Sequence, residues 1–263
     1  MQIPVSGGHI EVQRRGGGGP AVVFLHYWGG SATTWEHVVD HLPRDRTTVR
    51  FDQRGWGSSR ALPGPYGLHQ LALDALRIVD GLDLGDFILV GHSMGGKVAQ
   101  LVAAQRPASL TGMVLVAPAP PRPLDTITEQ DQSFTAHVYD SADSVLRALD
   151  TRLAATPISQ PDRDMVVRDS LAGNEGAREA WAWSGLVEDI TAEVSAADVP
   201  TLVIVGDRDQ VEPAQVQRAN LLPFLKGARL ESVPDAGHLL PLEAPKAIAD
   251  AVERVLAGSG PAR

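Results

Sequence analysis

Phe87-Ile88-Leu89-Val90-Gly91-His92-Ser93-Met94-Gly95-Gly96 runs from a wholly apolar stretch straight into a Gly-x-Ser-x-Gly pattern. The residues that follow, Met94 to Gln105, repeat their apolar positions three and four apart. Together they predict a buried strand over Phe87 to Val90, a tight turn and a helix. A side chain larger than hydrogen at Gly91 or Gly95 would collide with neighbouring backbone in such a turn. Ser93 is pushed outward at the carboxyl end of the sheet. The five-residue pattern is common in isolation, so the strand before it and the helix after it carry the weight.

Similar apolar runs occur at Ala21 to Leu25, Thr48 to Phe51, Met113 to Val116 and Thr201 to Val205, with a less pure one at Arg229 to Val233. Runs of this kind are buried on both faces of a parallel sheet. Helical spacing over Leu68 to Val79, Ala214 to Leu222 and Ala247 to Leu256 separates them. Strand alternates with helix, which predicts an α/β fold with a mostly parallel central sheet flanked by helices. The patch Gly16 to Gly19 is read as a turn, and the tail Gly258 to Arg263 is expected to fray.

The alternation stops between Ala119 and Val199. That segment opens on the proline-rich APAPPRP, has helical pieces around Ser141 to Leu153 and Glu175 to Leu186, and contains no convincing buried strand. A structureless loop of this length is implausible inside a packed domain, so an ordered helical insertion is expected after the strand Met113 to Val116. The predicted division is a core of residues 1–118 and 200–263 with a helical cap of residues 119–199.

Composition narrows the partners. In 263 residues, 43% are apolar and 21% charged, which suits a folded globule. The 23 Lys and Arg against 32 Asp and Glu give a net charge of -9, which disfavours nucleic acid and anionic membrane surfaces as partners. With 0 Cys there is no disulfide, thiolate metal site or cysteine nucleophile. The opening MQIPVSGGHIEVQRRGGGG lacks a basic stretch followed by an apolar run, and no run of about 18 apolar residues occurs. A cytoplasmic protein without metal or cofactor is expected; the sequence carries no signal for oligomeric state.

A serine hydroxyl needs a base to become nucleophilic, and the base needs a carboxylate to fix its tautomer. Two downstream segments offer them. Gly206-Asp207-Arg208-Asp209 follows the strand Thr201 to Val205, and Pro234-Asp235-Ala236-Gly237-His238 follows the next strand. Asp207 stands close to the strand end and is expected to hydrogen-bond local backbone, whereas Asp209 lies far enough out to reach His238. The order Ser93, Asp209, His238 suits a strand–turn–helix serine site. His9, His37, His41, His69 and His137 show no partner pattern and are expected at the surface or in packing. Backbone N–H groups must also face a developing oxyanion. Met94, at the start of the helix, and Trp28, in the loop His26-Tyr27-Trp28-Gly29-Gly30, are the candidates. The segment Phe51-Asp52-Gln53-Arg54-Gly55-Trp56-Gly57-Ser58-Ser59 lacks the third glycine and the lysine of a phosphate loop and is read as a strand-end turn.

With these residues in place the chain resembles α/β-hydrolase-fold enzymes of the capped serine esterase and cofactor-free haloperoxidase-like branch. LHYWGGSATTW, FDQRGWGSS, GHSMGG, PTLVIVGDRDQVEP and PDAGHLLPLEAP carry the resemblance, in the family's order and across nearly the whole chain. It implies a catalytic triad of Ser93, Asp209 and His238, an oxyanion hole of Trp28 and Met94, and a cap made of the insertion. One position departs: the family usually has His-Gly where this chain has His26-Tyr27.

The expected function is hydrolysis of a carboxylic ester, lactone or similar activated carbonyl through an acyl-enzyme. Carbon–carbon bond hydrolysis of a diketone-like substrate, and cofactor-free oxygenation or perhydrolysis at the same site, remain alternatives, as does a receptor that keeps a slow triad. Serine at the elbow argues against the haloalkane dehalogenases and epoxide hydrolases that resemble this fold. His26, Tyr27, Phe134, Tyr139, Trp181 and Trp183 are the candidate pocket residues, which predicts a small, mostly apolar or aromatic substrate. Trp181 and Trp183, two apart, point about 200° from each other on a helix and cannot both face one pocket.

Overall fold

Eight strands form one sheet, in the order β1-β2-β4-β3-β5-β6-β7-β8, in the computed structural model, which describes residues 1–258. The strands are β1 (Gln2–Val5), β2 (Gly8–Arg15), β3 (Gly18–Leu25), β4 (Arg46–Phe51), β5 (Phe87–His92), β6 (Leu110–Val116), β7 (Thr201–Gly206) and β8 (Arg229–Val233). From β4 through β8 every neighbouring pair is parallel, while β1 and β2 pair antiparallel with each other and β2 antiparallel with β4. All six apolar runs are strands. The hairpin β1–β2 was not read from the sequence, because only Ile3, Ile10 and Val12 of it are buried and the intervening residues are polar. The glycine patch is half turn and half strand: β3 begins at Gly18, and Gly16 and Gly19 take positive φ angles.

Side-chain alternation along the central strands produces two apolar layers. Val23, Leu25, Leu89, Leu115, Val203 and Val205 face one side, and Val22, Phe24, Ile88, Val90, Val114, Val116 and Ile204 face the other. The second layer is covered by α1 (Glu36–His41) and by the C-terminal helix α11 (Pro245–Gly258). The first is covered by α2 (Leu68–Leu82) and α3 (Met94–Ala104). Helix α2 buries Leu68, Leu71, Ala75, Ile78 and Leu82 at the predicted three- and four-residue spacing and stops where Asp83 turns left-handed, at φ 47°.

Between β6 and β7 the chain forms helices and no strand. They are α4 (Glu129–His137), α5 (Ala142–Ala148), α6 (Gln160–Leu171), α7 (Glu175–Ala180) and α8 (Thr191–Val194), with single π-helical turns at Leu149–Leu153 and Trp181–Gly185. Tyr139, Val145, Leu149, Trp181, Ile190 and Val194 join the same apolar layer as α2 and α3, so the insertion packs onto the sheet's core rather than standing apart. Helix α4 alone buries no residue. After β7 come α9 (Ala214–Asn220) and α10 (Leu240–Glu243). The fraying expected of Gly258 to Arg263 falls on 259–263, outside the described residues, while Gly258 ends α11. Among the described residues no helix is long and apolar enough to cross a membrane.

Candidate active site

Ser93 sits between β5 and α3 with φ 52° and ψ −117°, a conformation that side chains rarely adopt. Its backbone is held from both sides: Ser93 N–H donates to Val116 O at 3.0 Å, and Ser93 O accepts from Gly96 N–H at 2.9 Å and Ala119 N–H at 3.1 Å. The flanking glycines are sterically required. A Cβ at Gly91 would lie 2.4 Å from Gly95 O, and one at Gly95 would lie 2.3 Å from Leu25 O and 2.5 Å from His26 O.

His238 follows β8, and Asp209 follows β7. His238 Nδ1 and Asp209 Oδ2 are 3.0 Å apart, and both residues are buried. The other carboxylate oxygen, Asp209 Oδ1, accepts from Val211 N–H at 2.7 Å and Glu212 N–H at 3.0 Å. Burial alone would raise the Asp209 carboxyl, but the facing imidazole and the two backbone donors outweigh it and hold the group below the ordinary carboxylate range. The His238 backbone is pinned as well, its N–H donating to Leu153 O at 2.8 Å and its carbonyl accepting from His92 Nε2 at 2.8 Å. Asp207 is exposed and its side chain makes no hydrogen bond among the described residues. The local-backbone role expected of Asp207 belongs to Asp209, whose turn doubles back on its own carboxylate.

The loop after β3 carries Trp28 N–H, and the start of α3 carries Met94 N–H. Neither Trp28 N–H nor Met94 N–H donates to an acceptor among the described residues. Met94 opens α3, where the helix dipole adds positive potential. Trp28 is fixed by Tyr139, whose ring stacks on it at 4.1 Å and whose hydroxyl donates to Trp28 O at 2.9 Å. Gly29, at φ 91°, is needed here because a Cβ would lie 2.4 Å from the Tyr139 ring.

Ser93, His238, Tyr27 and Trp28 line a cavity of about 420 Å³, walled on the other side by Phe134, Tyr139, Leu153, Trp181 and Leu186. That volume suits a small organic ligand. Among the described residues no group of three His, Cys, Asp or Glu side chains could hold a metal ion.

Residues 20–245 match the family model described as alpha/beta hydrolase fold. The chain belongs to the alpha/beta hydrolase fold family. It is an enzyme of this family, and its curated relatives include a non-heme haloperoxidase of Rhodococcus erythropolis, 28% identical over 84% of this chain and 86% of the relative. Another is 3-oxoadipate enol-lactonase 2 of Acinetobacter baylyi, 25% identical over 90% of this chain and 88% of the relative. Among solved structures, an esterase from Exiguobacterium antarcticum superposes with a TM-score of 0.86 at 22% identity, covering 97% of this chain and 98% of that one.

Within this α/β-hydrolase frame, two of the six candidate pocket residues lie elsewhere. His26 is fully buried behind the loop, where Nε2 accepts from Gln53 N–H at 3.0 Å and Nδ1–H donates to Tyr27 O at 2.7 Å. It is a packing and loop-holding residue, kept neutral by burial. Trp183 is 45% exposed, while Trp181 is 7% exposed and lines the cavity, as their opposite directions require. Tyr27, Phe134, Tyr139 and Trp181 do line it. Of the five histidines without a partner pattern, three face carboxylates: His37 pairs with Asp162, His69 with Glu188 and Glu193, and His137 with Asp140.

Sequence reasoning missed several supporting groups. Asp52, in the strand-end turn, accepts from Ala32 N–H at 2.7 Å and Ser58 N–H at 2.8 Å, and Gln53 Nε2 donates to His26 O at 2.7 Å, so this turn anchors the Trp28 loop. Lys97 is buried on α3, its Nζ donating to Gly185 O at 3.0 Å and Glu188 O at 2.6 Å; burial pushes it down to about 8. Glu212 is buried in the cavity wall. Only its place, three residues past the acid, could have flagged it.

Proposed function

We propose that this α/β-hydrolase cleaves a carboxylic ester, lactone or similar activated carbonyl through an acyl-enzyme on Ser93. The observation that carries this reading is the buried His238–Asp209 contact of 3.0 Å at a cavity shared with the strained Ser93. Ser93 Oγ attacks the carbonyl carbon as His238 Nε2 takes its proton. Asp209 keeps the other proton on Nδ1 and stabilises the imidazolium. The tetrahedral oxyanion rests on Trp28 N–H and Met94 N–H. Collapse expels the alcohol, which receives the proton from His238, and water attacks the acyl-enzyme by the same steps in reverse order.

The helices between β6 and β7 act as the cap that sets specificity, and the aromatic walls favour a small, mostly apolar or aromatic substrate. A cytoplasmic location is proposed on the cysteine-free composition. Perhydrolysis is a second reading, favoured by the relative named a non-heme haloperoxidase. There hydrogen peroxide replaces water in deacylation and leaves as the peracid.

An active-site phosphonate should label Ser93 stoichiometrically, and Ser93→Ala should lose about 1000-fold or more in ester turnover. Near-normal turnover by Ser93→Ala would overturn the acyl-enzyme.

A further inference from the structure

Glu212 is anomalous. It lines the cavity with Ser93 and His238 yet is only 7% exposed, and its Oε2 is shut away without a hydrogen-bond partner among the described residues. Buried polar atoms in folded proteins are almost always paired, so an orphan calls for a physical reason. Its backbone is fixed, because its N–H donates to Asp209 Oδ1 at 3.0 Å and Pro213 follows at the start of α9. The residue is therefore anchored at the Asp209 turn, with its side chain buried there.

The charged groups facing Glu212 are Asp209, already committed to His238, and Lys97. Lys97 directs Nζ at Gly185 O and Glu188 O, with the Glu188 and Asp189 carboxylates also near, and makes no ion pair with Glu212. A buried carboxyl facing a second, charged carboxylate ionises less readily. Burial and then the Asp209 charge push the Glu212 carboxyl well above its ordinary value, and Lys97 offsets only part of that. A neutral carboxyl has one carbonyl oxygen and one hydroxyl. An unpaired carbonyl oxygen at Oε2 is a much cheaper defect than an unpaired charge. The hydroxyl is then Oε1, on a residue that lines the cavity.

We propose that Glu212 is a neutral carboxylic acid that donates a hydrogen bond from Oε1 into the cavity and selects substrates with a second oxygen acceptor near the scissile carbonyl. Oxo-, alkoxy- and lactone-type compounds carry such an acceptor, whereas plain alkanoates do not. The inference rests on the acyl-transfer reading above and adds the substrate class. Glu212 is a specificity residue here; it takes no part in the proton transfers of Ser93 and His238.

The test compares kcat/KM for methyl levulinate, methyl acetoacetate and methoxyethyl valerate with that for methyl valerate. The wild type should favour at least one oxygen-bearing ester, and the ratio should fall about tenfold in Glu212→Met, which fills the space without a donor. Glu212→Gln keeps an N–H donor and should hold the ratio within about threefold. The wild-type ratio should also decline on the alkaline side as Glu212 ionises, while that of Glu212→Gln stays flat; Lys97 is present in both, so its own titration cancels. If Glu212→Met does not fold, the wild-type and Glu212→Gln pH profiles decide alone. A ratio near one in the wild type, a ratio untouched in Glu212→Met, or a ratio lost in Glu212→Gln as fully as in Glu212→Met overturns the proposal. If no ester is turned over, the acyl-transfer reading fails first and takes this inference with it; turnover of methyl valerate without Glu212-dependent selection sinks the inference alone.

Discussion

His92 Nε2 donates to the backbone carbonyl of His238 at 2.8 Å, so the residue between Gly91 and Ser93 fastens the loop of His238 to the turn of Ser93. His92 is fully buried, with its ring 5.1 Å from that of Tyr27, 5.1 Å from that of His238 and 6.3 Å from that of Trp35. His92→Phe keeps the shape and leaves the His238 carbonyl unpaired, a loss of about 1–3 kcal/mol. The expected outcome is a kcat about tenfold lower with KM little changed, together with an equally slowed phosphonate labelling of Ser93. A stability loss with unaltered kcat would reduce His92 to packing.

The same residue makes the fold sensitive to acid. Burial, reinforced by His238, pushes His92 well below its ordinary value of 6.5 and keeps it neutral, and His26 is lowered by burial as well. Their unfolded forms bind protons below about pH 6.5 while the folded forms resist, so their contribution is present above that pH and is lost as pH falls. Urea midpoints measured between pH 7 and pH 5 should fall more steeply for the wild type than for His92→Phe. Parallel slopes would mean that His92 does not carry the acid sensitivity.

Asp209→Asn should keep fold and binding but lose about 1000-fold in kcat, because the amide favours the wrong imidazole tautomer. Asp207→Asn should change neither turnover nor melting, since its side chain is exposed and makes no hydrogen bond among the described residues. The reverse pattern, in variants that melt like the wild type, would move the acid to Asp207.

The sheet was legible because Phe87 to Val90 and Thr201 to Val205 are buried on both faces, and unbroken apolar runs need no partner information to be recognised. Gly91 and Gly95 were legible because their constraint is local, a backbone approach within one turn. His26 was not, since its role comes from Gln53, 27 residues away, and a loop histidine looks the same whether it faces a cavity or a clamp. Helix α4 escaped because it buries nothing: its Thr128–Asp131 capping box marks its start, but its body has no apolar stripe to read. The choice between Trp181 and Trp183 needed only helical geometry to say that they differ, and burial to say which faces inward.

Trp28 N–H is a backbone group and cannot be deleted by substitution, but its loop can be loosened through the clamp that holds it. Gln53 N–H donates to His26 Nε2 at 3.0 Å, and Gln53 Nε2 donates back to His26 O at 2.7 Å, so one residue fixes both the ring and the backbone of the other. Gln53→Leu removes the second bond and keeps the first. His26→Phe removes the first together with the Nδ1–H bond to Tyr27 O, leaving Gln53 N–H buried and unpaired. If the loop presents an oxyanion donor, both variants should lower kcat more than they raise KM, because the donor matters most in the transition state. Losses of about tenfold for Gln53→Leu and up to about 100-fold for His26→Phe are expected, the upper figure being near the effect of deleting an oxyanion donor outright. The two losses should not add, since each variant breaks the same clamp, and the double variant should fall close to His26→Phe alone. Additive losses, or a rise in KM at constant kcat, would place the clamp in substrate binding and take Trp28 out of the oxyanion hole.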